Sequence, residues 1–125
     1  MTDFVEVGPR VDGDEKLAFI AEASAYVHPS RWECHSIALL EVLSIGAPCL
    51  VSSSIHIVQP LAEDGAAAPR RSTAEAWADA LLKIAEVDLS ELGRSSQAFL
   101  RSHFALERVA PSYRGLLLSI SHDGR

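Results

Sequence analysis

Short apolar runs alternate along this chain with longer stretches in which apolar positions recur every three or four residues, the pattern of strands separated by helices. Four runs read as strands. They are F-V-E-V at 4–7, ended by Gly8-Pro9; A-Y-V-H at 25–28, ended by Pro29-Ser30; C-L-V-S at 49–52, introduced by Gly46-Ala47-Pro48; and a weaker A-A-A at 66–68. Between the first two, positions 14–23 carry Leu17, Phe19, Ile20 and Ala23 after an acidic start, which predicts a helical crossover and one βαβ unit. Between the second and third, positions 37–45 predict another helix, with Ser36 placed to cap it and Gly46 placed to stop it. Strands linked in this way lie parallel, so a barrel or an antiparallel sandwich is excluded.

Beyond Pro69 the pattern is helical. Ala76, Trp77, Ala80, Leu81 and Ile84 mark one side of a helix over 73–84, and two more follow over 92–103 and 106–120. Pro111 is expected to kink the last of these or to break it near Ala110. The fold class is therefore α/β: a partial Rossmann-like parallel sheet with flanking helices and a helical C-terminal tail. One domain is expected over 1–121, with 122–125 as a frayed tail.

Length and composition leave that picture intact. A chain of 125 residues suits one domain, and 48% apolar with 22% charged residues is ordinary globular usage. The longest apolar runs, such as that from Ile37 to Leu40, are too short to span a bilayer. Asp3 and Glu6 stand where a secretory signal would carry basic residues, so a cytoplasmic location is expected. A net charge of -6, with Arg70-Arg71 as the local basic cluster, argues against nucleic acid as a partner. Cys34 and Cys49 have neither metal-ligand spacing nor disulfide-scaffold density, and both read as reduced thiols. His28, His35, His56 and His103 form no nucleophile–base pairing legible in the sequence. Ser52, Ser53 and Ser54 read as a turn, because G-x-S-x-G is absent.

Chemistry concentrates between Pro29 and Pro48. The helix there is apolar almost all round, which predicts packing on every side. Glu41 sits in its middle with Ile37, Ala38, Ser44 and Ile45 one turn away, so no base on the same helix can pair with it. A buried carboxylate left unpaired would cost on the order of several kcal/mol. Glu41 therefore reaches solvent or a distant Arg, or it receives ligand hydroxyls. Glu33 lies in the loop after the carboxyl end of a strand, where open parallel sheets bind ligands; the alternative is an ordinary surface Glu. Between the two carboxylates stands a helix N-terminus, whose free N–H groups and positive dipole end suit a diphosphate.

The spacing of Glu33 and Glu41 is E-x7-E, preceded by P-S-x-x-E and followed by G-x-P. With F-x-x-x-G from Phe4 to Gly8, A-x-x-x-V-x-P-S ending at Ser30, and H-F-x-L-E-R-V-A ahead of Tyr113, the chain resembles a large family of retaining glycosyltransferases. That family includes the glycogen and sucrose synthases, and the resemblance covers about residues 3–118. It implies half of a two-domain GT-B fold, the nucleotide-sugar-binding C-terminal domain truncated at its start. It implies that Glu33 is catalytic, contacting the donor sugar near the reacting carbon, and that Glu41 accepts hydrogen bonds from the ribose hydroxyls. Cys34, His35, Ser36 and Ile37 would bring backbone N–H groups to the sugar and diphosphate. The implied donor is a nucleoside-diphosphate sugar, with no cofactor and no metal. The implied partner is a separate N-terminal acceptor domain, or the chain self-associates.

Three features depart from the family pattern. Ser36 replaces the usual glycine, His35 replaces an aromatic or apolar residue, and 52–56 lacks a glycine often seen there. Neither Arg10 nor Lys16 matches the basic clamp on the diphosphate. The expected function is part of a hexosyltransferase-type enzyme, inactive as the isolated chain. The competing expectation is a noncatalytic nucleotide-sugar-binding or regulatory module.

Overall fold

In the computed structural model, which describes residues 5–71, 73–86 and 88–122, the apolar runs at 26–28 and 49–52 lie side by side as parallel strands β1 (Tyr26–His28) and β2 (Cys49–Ser52). A third parallel strand, β3 (Ala68–Arg70), pairs with the far edge of β2. The register sets Tyr26 opposite Cys49, His28 opposite Val51, and Leu50 opposite Ala68. With a partner on each edge, β2 is the central strand, and all four of its residues are buried.

Around the sheet lie α1 (Gly13–Glu22), α2 (Ile37–Ile45), α3 (Val58–Glu63), α4 (Ala74–Lys83) with a 3-10 turn at Ile84–Glu86, α5 (Ser90–Phe104) and α6 (Leu106–His122). Helix α2 links β1 to β2 and α3 links β2 to β3, so the sheet is built from two crossovers. Cys49 and Val51 pack with Leu39, Val42 and Leu43 of α2, Leu61 of α3 and Phe99 of α5 into one apolar core. Gly46 ends α2 at φ +72°, a left-handed conformation that costs an L side chain about 1–2 kcal/mol. Its N–H donates to the carbonyls of Leu43 and Val42. Helix α5 crosses this turn so closely that a Cβ on Gly93 would overlap the Gly46 carbonyl oxygen. Ser96 Oγ, buried, donates at 2.7 Å to the carbonyl of Ala66 and so ties α5 to the approach to β3.

Several expectations need correction. Val5 to Val7 form no strand and are exposed, while Phe4 lies outside the described residues. An extended segment becomes a strand only when a ladder of hydrogen bonds receives it. Among the described residues α1 therefore precedes the first strand instead of crossing between two. The strand expected at 66–68 begins at Ala68, where pairing with Leu50 starts; Ala66 and Ala67 are buried in the segment between the turn at 64–65 and the strand. Helix α3, which contains Pro60, was not expected; proline is tolerated in a first turn, where its missing N–H would lack a partner anyway. Pro111 stands in the second turn of α6 and removes the N–H that would reach the Glu107 carbonyl, yet it does not break that helix, which runs through Ser121 to His122. Finally, α2 is packed on one side only: Leu39, Val42 and Leu43 are buried, whereas Ile37, Ala38 and Ser44 are exposed.

Candidate functional site

The carboxyl end of β1 delivers His28, and five residues later the loop delivers Glu33, just before α2 begins. Ser36 caps α2: its Oγ accepts from the Leu39 N–H at 3.2 Å, and its carbonyl accepts from the Leu40 N–H at 3.1 Å. The amides of Ile37 and Ala38 precede any partner within the helix, so they are the groups free to meet an anion.

Glu33 is held from two directions. His28 Nε2 lies 3.2 Å from Glu33 Oε1, close enough for an ion pair though without the alignment of a hydrogen bond. The imidazole is nine-tenths buried and stacks beside Tyr26 with centroids 5.9 Å apart. His28 Nε2 and Glu33 Oε2 are both buried atoms with no hydrogen-bond partner. The Ser36 hydroxyl, assisted by His28 and Ser30 and opposed by partial burial, holds the Glu33 carboxyl below the usual carboxylate range. An ionised carboxylate with an unclaimed oxygen is an acceptor awaiting a donor.

Glu41 does have a partner. Lys16 of α1 reaches across to place Nζ 2.8 Å from Glu41 Oε1, with both side chains about one-third exposed. The distant base is thus a lysine, and it neutralises the charge that α2 alone could not. The Tyr26 phenol is shifted upward by burial first, then by Glu33, by Cys49 and by Glu41, so both carboxylates act on it. Glu33, Glu41, Ser36, His28, Tyr26 and Lys16 therefore form one polar cluster around β1 and the start of α2.

The remaining expected residues are placed less uniformly. Cys34 and His35 are exposed, and the His35 ring meets Phe104 edge-on at 6.5 Å, so its side chain faces the end of α5. Ile37 is exposed and, with Leu40, Glu41, Ser44 and Phe104, lines a groove of about 330 Å³. That volume lies at the lower end of the range for small-molecule sites. A second cavity of about 300 Å³, lined by Leu50, Ala80, Ile84 and Leu92, opens on the sheet face opposite Cys49 and Val51. At its rim Asp88 accepts from the Ser90 amide and Glu91 pairs with Arg94. Burial pushes the Cys49 thiol up to about 12, so it stays protonated and inert.

Sequence reasoning did not identify Lys16, Tyr26 or His28 as parts of the site. Nothing in the sequence couples Lys16 to a carboxylate twenty-five residues away. The signal for His28 was present: a histidine as the last strand residue, five positions before a loop carboxylate.

Among the described residues no three His, Cys, Asp or Glu side chains gather as a metal site, and no helix is long and apolar enough to cross a membrane. A family model described as glycosyl transferases group 1 matches residues 1–86, a span that contains all six residues of the cluster. No curated protein and no solved structure matches the chain.

Proposed function

The chain belongs to the glycosyl transferases group 1, and from that premise we propose that it is the donor-binding part of a retaining glycosyltransferase using a nucleoside-diphosphate sugar. The observation that carries this reading is Glu33, an ionised carboxylate beside a capped helix N-terminus, with one buried oxygen unclaimed. As the bond between sugar and diphosphate breaks, positive charge grows at the sugar carbon and negative charge on the leaving group. A carboxylate at the first and the α2 amides of Ile37 and Ala38 at the second would stabilise both ends of that separation. Glu41, fixed through Oε1 by Lys16, keeps Oε2 to accept ribose hydroxyls. The backbone of Cys34, His35, Ser36 and Ile37 lines the path between the two carboxylates. No side-chain nucleophile is needed in this scheme, and no cofactor or metal is assigned to this segment.

The second reading, a noncatalytic nucleotide-sugar-binding module, is favoured by one observation: the exposed Arg10 is engaged with Asp12 at 2.8 Å, and Lys16 with Glu41, so neither base is free for a diphosphate. Ligand-observed NMR on the chain separates the roles. A nucleoside diphosphate should bind weakly, with a millimolar dissociation constant or about -4 kcal/mol. Glu41→Ala should weaken both the plain diphosphate and its sugar conjugate, whereas Glu33→Ala should weaken the conjugate alone. Equal effects of both substitutions on the plain diphosphate would overturn the assignment. Sugar transfer to an added acceptor by the chain alone would overturn the second reading.

A further inference from the structure

Helix α6 carries Leu106, Val109, Tyr113, Leu116 and Ile120 at alternating spacings of three and four, the spacing of a coiled-coil seam. At 100° per residue these five, with Ala110 and Leu117, fall within a stripe about 120° wide. A helix in a folded chain ordinarily turns such a stripe toward a neighbour. Here every residue from 110 to 121 is exposed. Leu106 is 75% exposed, Tyr113 64%, Leu117 65% and Ile120 64%, and a groove lined by Leu106, Val109, Tyr113 and Leu117 runs along the helix. Apolar surface of this extent, with Arg114 at the edge of the groove as its charged lining residue, marks an interaction site.

We propose that this stripe is a self-association surface on which two copies of the chain pair with their α6 helices antiparallel. The sequence is its own complement about Tyr113: in that register Leu106 meets Ile120 of the second copy, Val109 meets Leu117, and the small Ala110 meets the large Leu116. Charge favours the same occupant. The chain carries -6, yet 106–122 holds one acidic residue, Glu107, against Arg108 and Arg114, so two acidic molecules meet here without acidic faces opposed. Glu107, Arg108 and Arg114 all lie outside the stripe. A parallel pairing would bring the two folded bodies, each joined to α6 through Ala105, to the same end, and the antiparallel one separates them. With the helix about 26 Å long, the pair would bury about 1,200 Å² in total, the lower end for a specific interface, and a dimer of about micromolar strength is expected.

Sedimentation over about 1 to 200 μM, which brackets a micromolar constant, tests this. The wild-type mass should rise from 13.5 kDa toward twice that value. Leu117→Glu places an unpaired carboxylate in the seam and should raise the dissociation constant about a hundredfold or more, with an unchanged circular-dichroism spectrum. Gly115→Glu adds the same charge on the opposite side of α6, where an added Cβ meets open space, and should associate like wild type. A wild-type monomer throughout, association of Leu117→Glu as strong as wild type, or equal disruption by Gly115→Glu each overturns the proposal. Since α6 lies outside matched residues 1–86, any of these results leaves the donor-site reading untouched.

Discussion

Glu33 and Glu41 occupy one short segment but meet opposite circumstances. Glu41 is neutralised by Lys16, whereas Glu33 stands beside an imidazole and a hydroxyl with an oxygen to spare. That difference has a pH signature. The folded Glu33 carboxyl titrates below its unfolded value, so its contribution to stability is complete above the unfolded value, about pH 4.3, and is lost as pH falls through the lower folded one. The difference in urea midpoint between wild type and Glu33→Gln should therefore shrink as the pH is lowered from about 5 to about 3. A constant difference would show that the Ser36 and His28 contacts do not favour the ionised form. At this scale the sequence singled out the two candidate carboxylates through their spacing and their places at a strand end and in a helix. It did not reveal their partners, because Lys16 and Tyr26 reach the site through space.

Among the elements, α2 was the most legible, since its cap at Ser36 and its stop at Gly46 are local chemistry and both stand where the pattern put them. The crossing of α5 over its end was not legible. Two substitutions separate the local from the tertiary effect. Gly46→Ala meets the left-handed φ and the flexible Gln97 side chain, and should lower stability by about 1 kcal/mol. Gly93→Ala has benign helical dihedrals but drives a methyl into the Gly46 carbonyl, so it should cost about 3 kcal/mol, as overpacking does, despite improved helix propensity. Urea midpoints in which Gly93→Ala is the milder change would mean that α5 does not press on α2. Elements that depend on a neighbour were the ones misread: the run at 5–7 finds no ladder, and α2 has a bare side where an all-round apolar sequence promised a covered one.

For the whole molecule, a net charge of -6 opposes every encounter between two copies, while the α6 stripe favours one. Salt should then strengthen dimerisation: raising ionic strength from about 20 to about 200 mM shortens the Debye length to below 10 Å and screens the long-range repulsion, leaving the apolar contact unaffected. A dissociation constant that increases with salt would point to an interface made of ion pairs instead.

The sequence by itself determined the α/β class, the parallel sheet and the α2 caps, and it marked two candidate carboxylates, because hydrophobic period, capping and turn chemistry act within a few residues of one another. Tertiary structure alone decided that among the described residues three strands pair where four were expected, that Lys16 answers Glu41 and His28 braces Glu33, and that α6 turns its apolar stripe outward. Those outcomes depend on which distant surfaces meet. Apolar periodicity specifies that a face must be covered, but it carries no information about what covers it.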